Sequence, residues 1–472
     1  MNTDEDRIER ALDSGRRAAG SPPWRDPDEI RRIARRRTIT RRSLFGVAGL
    51  VAAGGIADAL WPRGTSGHDE HAPPLASGLR VDDRSGSAVQ LVADVHPFTA
   101  GAGDAALIAR AEQSFALDLL RAAGGGSDNI VLSPSSLAIA LAMLQVGAGG
   151  RTASEIGAVL HTSELSAAQQ AAGWAALVEL QSSSAGSVVE SANAVWQQRG
   201  LTLRAAYMAS LARYFRTGVW QVDFAHDLAG ASSAINEWVS THTHGKITKL
   251  FDAGEITTDT VLVLANAEYF KAAWQYKFDP KLTADGTFFR ADGSRATVPF
   301  MNYKGRLAST ATPKYMAVQL PYAGGRFAAQ VIMPMHGTLP QLLGSLTPDD
   351  FAAIAKAPAA DGGELLMPKF TAHTYTQLNS PLQQLGMRTA FTGDADFGAM
   401  SPTALMVQTV VQRDYLKVDE EGTEAAAVTG VGMVPQSAQV PPKIDHPFLF
   451  VVRDTATGAI LFAGQIQDPS TS

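Results

Sequence analysis

The sequence predicts one large α+β domain over roughly residues 106–469, and three observations predict it. Leu137–Val146 is apolar almost throughout, a pattern that suits a helix buried on every side and not an amphipathic surface helix. Runs rich in β-formers and bounded by Gly or Pro, at Val261–Tyr269, Tyr315–Leu320 and Arg326–Met333, predict strands. Helical segments at Leu203–Tyr214 and Ala234–Thr243 fall between them, with no internal repeat, so strands and helices share one mixed architecture. A composition of 45% hydrophobic and 18% charged residues is that of a folded chain, and excludes wholesale disorder or a membrane bundle.

Residues 1–42 are polar and hold 12 Arg against 8 acidic residues, so the remainder carries 28 basic against 38 acidic residues. A folded part that acidic lacks the basic surface needed to neutralise phosphates, and no nucleic-acid partner is expected. Arg41-Arg42 precede a short apolar run, Leu44–Ile56, which closes on Ala57-Asp58-Ala59. Twin Arg, apolar core and a small-x-small ending resemble a twin-arginine export signal, and predict an exported, extracellular or cell-surface protein. Retention as an N-terminal membrane anchor is the alternative, although the run is shorter than the ~20 residues that a spanning helix needs. Residues 1–60 therefore read as signal or anchor, and residues 61–105, rich in Gly, Ser, Ala, Pro and Asp, read as a flexible linker.

From there the elements follow in order. Ala111–Ala122 places Phe115, Leu117, Leu119 and Leu120 on a first helix. Ser133-Pro134 predicts the start of the buried helix, with Ser capping free N–H groups and Pro at the first helical position.

No catalytic pattern assembles in the sequence. The chain has no Cys, which removes thiolate catalysis, disulfides and zinc ribbons. No GxSxG, P-loop, HExxH or EF-hand pattern occurs. His242 and His244 read as the polar tail of a helix, because no third ligand lies nearby. His68-Asp69-Glu70-His71 reads as a solvated tract, and Gly430-Val431-Gly432 has no following helix to hold a dinucleotide. An enzyme is not expected, nor any metal or cofactor.

Several separated segments resemble the serpin family, in the family's order. They are Asn129–Ser136; Ile235–Trp238 through Thr243–Ile247; Val263–Trp274; Met367–Phe370; Leu385–Met387 with Ala395–Phe397; the hinge-like Asp419–Ala427; and His446–Phe450 to Gly464. The resemblance implies three β-sheets, about eight or nine helices and an exposed reactive loop at about residues 420–446. It also implies a suicide inhibitor of an endopeptidase, most simply a serine protease, which traps the acyl-enzyme as a covalent complex when the cleaved loop enters the main sheet. A monomer is expected. A non-inhibitory serpin acting as a binding or chaperone-like module is the alternative.

The loop has the alternation that insertion needs. A strand entering a sheet shows successive side chains to opposite faces. From Thr423 one face is Thr423, Ala425, Ala427, Thr429 and Val431, all small or apolar. The other holds Glu424, Ala426, Val428, Gly430 and Gly432, the glycines being weak strand formers. About 10 newly paired residues, at about 0.5–1.5 kcal/mol each, would release on the order of 10 kcal/mol. That matches a whole domain's stability of roughly 5–15 kcal/mol. Serpin loop insertion is itself an established case of strand addition and strain release.

By the resemblance, Glu420, Gly422, Thr423, Glu424, Ala425, Ala426 and Ala427 form the hinge. Lys369 is the basic partner of Glu420, and Trp274 caps the insertion point. Ser133, Ser136 and Asn266 belong to a polar cluster that lets strands part. Gln412 stands where the family usually has His, and its amide can donate and accept in the same place. The family's spacing puts the reactive bond at Gln436–Ser437, with Met433–Val434 as the alternative. Neither names the target protease.

Overall fold

The helix Pro134–Gly147 is buried at every residue, and the rest of the molecule is arranged to cover it. A computed structural model describes residues 79–85, 87–99, 101, 103–124, 126–181, 187–251, 254–423 and 442–471. The expected signal segment, the hinge residues Glu424–Ala427 and the expected reactive bonds Met433–Val434 and Gln436–Ser437 lie outside these residues.

Strands are numbered along the chain and appear in two sheets of eight. The central sheet runs in the spatial order β1 (Leu79–Ser85), β2 (Ala88–Ala93), β5 (Val219–Val222), β4 (Ser187–Gln198), β6 (Leu262–Ala273), β14 (Gly422–Thr423), β13 (Val410–Val418) and β12 (Phe370–Gln377). The second runs β11 (Ala359–Pro368), β8 (Arg295–Ala311), β9 (Tyr315–Pro321), β10 (Phe327–Pro334), β15 (Phe448–Asp454), β16 (Ile460–Ile466) and β3 (Ile130–Leu132), with β7 (Ala284–Phe289) also on β8. The 17-residue β8 pairs with β7 and β11 along most of its length and with β9 at its end. Strand groups that would otherwise be separate sheets are thereby joined in one hydrogen-bonded ladder. Nine α-helices lie among the described residues.

Alternation along the strands builds the cores. In β6, Leu262 and Leu264 face the core around the buried helix, while Val263, Ala265 and Ala267 face the opposite core. That opposite core is covered by the helix Leu228–His242, where Trp238 meets the stacked pair Trp196 and Trp220. Further along, Phe270 and Ala272 join a third core shared with the second sheet.

Two expectations change. Part of the expected linker supplies β1 and β2, because Leu91 and Val92 are buried and β2 pairs with β5; the first helix likewise begins at Asp104. Their polar and glycine-rich surroundings hid this short apolar run. Ser133 precedes the buried helix with Pro at its start, but its side chain makes no capping bond and turns to Glu268 instead.

Candidate functional site

The site is a seam between β6 and β13, open at one end. These strands are parallel and pair directly from Leu264–Val410 to Glu268–Asp414. Beyond that, the chain leaves β13 at Val418 and reverses through Asp419–Gly422, where Asp419 N–H donates to Gly422 O at 3.0 Å. It re-enters as β14, so that Thr423 pairs with Val418 on one side and Ala272 on the other.

Gly422 is required at this reversal. Its φ is +156°, and a Cβ would stand 2.1 Å from the Ala272 carbonyl oxygen. Thr423 is buried, and its hydroxyl lies 2.7 Å from that of Tyr322. Tyr322 in turn stacks on Trp274, with ring centroids 4.5 Å apart and planes 10° from parallel.

The turn is clamped from β6. Trp274 donates its indole N–H to Asp419 O at 2.9 Å and its backbone N–H to Glu421 O at 3.0 Å. Phe278 N–H donates to Glu420 O at 3.1 Å. Lys369 Nζ lies 3.0 Å from Glu420 Oε1, which also accepts from the Thr283 hydroxyl at 2.7 Å. Lys277 pairs with Glu421, and Lys417 with Asp419 at 2.9 Å. Burial pushes the Glu420 carboxyl up, but the Thr283 hydroxyl and the Lys369 ammonium outweigh it and hold the group below its ordinary value.

Below the turn, the seam is crossed by amides. Gln412 is fully buried on β13; its carbonyl oxygen accepts from Ser133 N–H at 3.1 Å and its NH₂ donates to Ser133 O at 2.9 Å. The same NH₂ donates to Asn266 Oδ1 on β6. Asn266 Nδ2 donates to Ser136 Oγ at 2.6 Å and also reaches Asn193 on β4. Ser133, Ser136, Asn266 and Gln412 are thus brought together in one network. Glu420, Gly422, Thr423, Lys369 and Trp274 gather in another at the end of the seam.

Sequence reading missed five contributors: Tyr322, Thr283, Asn193, Glu268 and Asp414. For the last two a signal existed. Each lies two residues past an amide (Asn266 and Gln412), which puts it on the same inward face as that amide. Glu268 and Asp414 are register partners across the seam and both are buried. His242 and His244 pack as ring contacts on Trp238 and Tyr269.

Comparison with known proteins gives a consistent likeness. A family model described as Serpin (serine protease inhibitor) matches residues 110–469. An uncharacterized serpin-like protein of Thermococcus kodakarensis is 33% identical over 368 residues, 77% of this chain and 86% of its own. Iripin-2 of Ixodes ricinus is 34% identical over 375 residues, 77% of this chain and 94% of its own. The crystal structure of a thermophilic serpin, tengpin, in the native state superposes with a TM-score of 0.71 at 25% identity, covering 79% of this chain and 97% of that one.

Proposed function

The chain belongs to the serpin family, and from that premise we propose that it is a suicide inhibitor that traps a serine endopeptidase by inserting its cleaved reactive loop between β6 and β13. The observation that carries this reading is a shared register. Thr423 is opposite Ala272 and Val418, and the closed part of the seam pairs Leu264 with Val410 at the same offset. A strand continuing from Thr423 would meet both neighbours without slipping. Ala425 would come between Phe270 and Leu416, Ala427 between Glu268 and Asp414, Thr429 between Asn266 and Gln412, and Val431 between Leu264 and Val410. Residues directly opposite in a sheet share a face. The small residues of the loop would therefore face the packed interior.

In this mechanism the protease attacks the Gln436 carbonyl, or that of Met433, and the bond to the next residue breaks. The amine leaves with its proton, and the protease stays esterified to the new carboxyl end. Loop entry then carries the protease away before water completes hydrolysis. The seam must stay closed in the uncleaved protein and part along its length as the loop enters; the clamp around Glu420 fixes the hinge at its open end, and the amide bridge from Gln412 to Asn266 is a contact that has to break. Export across the cytoplasmic membrane by the Arg41-Arg42 signal would place the inhibitor where foreign or secreted proteases act.

The test is incubation with a panel of serine proteases, followed by denaturing electrophoresis. A band of higher mass that survives SDS is expected with at least one of them. Cleavage of the loop without such a band, and without a rise in the melting temperature of the cleaved protein, would favour the binding-module alternative.

A further inference from the structure

Two buried carboxyl groups face each other across the seam that has to open. Glu268 on β6 and Asp414 on β13 are register partners in adjacent parallel strands. The Ser133 hydroxyl donates to Glu268 Oε2, while Glu268 Oε1 and both oxygens of Asp414 have no hydrogen-bond partner among the described residues. Thr374, opposite Asp414 on β12, gives its own hydroxyl to Val131 O at 2.6 Å. Among the described residues, one further carboxyl bears on Glu268: Glu112 of the helix Asp104–Ala123, itself opposed by Arg453. Arg413, next to Asp414, points to the other face and donates to Leu250 O at 2.8 Å.

An unpaired buried charge is costly, and two of the same sign side by side are costlier. Burial pushes both carboxyls well above their ordinary values, and Asp414 and Glu112 push Glu268 further. Neighbouring strands lie about 4.8 Å apart, so a strand entering between β6 and β13 would double the separation of the pair to about 9.6 Å.

We propose that Glu268 and Asp414 form an acid latch in the seam: protonated, they let β6 and β13 stay paired, and their ionisation drives the strands apart and speeds entry of the loop. The latch rests on the insertion reading above. Because the closed seam holds these protons more tightly than the open one, it is favoured fully below the ordinary carboxylate range. That advantage fades as pH rises through the elevated values. Loop entry therefore quickens with rising pH.

The probe is a synthetic peptide with the sequence Thr423–Gln436, labelled and incubated with the full-length, uncleaved protein between pH 5 and pH 8. Its incorporation rate is read by size-exclusion chromatography. Wild type is expected to take it up roughly tenfold faster at the upper pH, the worth of one pKa unit of mutual repulsion. Asp414→Asn and Glu268→Gln, which remove the mutual repulsion and leave one buried carboxyl, should take it up with a clearly shallower pH dependence than wild type. Melting curves at pH 5 check that each variant is folded, and either variant alone decides the matter. An unchanged pH slope in a folded variant overturns the latch while leaving insertion intact. A peptide that enters wild type at no pH overturns the insertion reading and the latch with it.

Discussion

Thr423 and Tyr322 share a hydrogen bond of 2.7 Å between their hydroxyls, and both side chains are buried. The first residue of the loop's small face is thus already seated between β6 and β13, tied to a ring that stacks on Trp274. An Arg there would have to bury a long charged side chain against these rings, costing several kcal/mol unless paired. Thr423→Arg should leave the reactive bond cleavable and abolish the stable complex, which turns an inhibitor into a substrate. Glu424→Arg, one residue on, should change much less. A stoichiometry titration of both variants checks this, and full inhibition by Thr423→Arg would contradict it.

Gln412→Ala should destabilise the fold by about 2–4 kcal/mol. The amide's removal leaves Ser133 N–H and O and Asn266 Oδ1 buried without those partners, at about 1–3 kcal/mol for each group not rescued by water. Urea unfolding followed by tryptophan fluorescence measures the loss. A change below about 0.5 kcal/mol would show that the network is dispensable.

The Glu420 clamp should be pH-dependent. Its carboxyl sits below the ordinary 4.5 in the folded protein, so its contribution is present above that value and lost as pH falls through the lowered one. Glu420→Gln should therefore melt below wild type at neutral pH, and the gap should close as pH falls below the ordinary 4.5 and through the lowered value. A gap that stays constant over that range would assign the stability to the amide-compatible contacts alone.

Replacing Arg41 and Arg42 together by Lys should stop export and leave folded protein in the cytoplasm. Fractionation of cells producing both forms measures it. A Lys-Lys variant found outside the membrane in folded form would remove the export reading.

Local pattern determined a good part of this protein. The buried helix was legible because Leu137–Val146 offers no polar face; the period-2 alternation of Thr423, Ala425 and Ala427 is likewise a property of the local sequence. Gln412 was legible as a residue able to donate and accept, since that capacity belongs to the amide itself. The tertiary structure decided what these residues meet. Gln412 and Asn266 are 146 residues apart in sequence, and nothing local to either strand says that they lie side by side. The same is true of Glu268 and Asp414: each reads alone as an ordinary charge in a strand, near Lys271 in one and beside Arg413 in the other, and becomes a buried acid pair only when β6 and β13 share a seam. Ser133 looked like a helix cap because capping needs only the next few residues; its hydroxyl instead serves Glu268, 135 residues away. Periodicity and side-chain chemistry are properties of short stretches of chain. Strand order and register arise only when distant stretches compete for one core, so the seam and its pairings were fixed by folding.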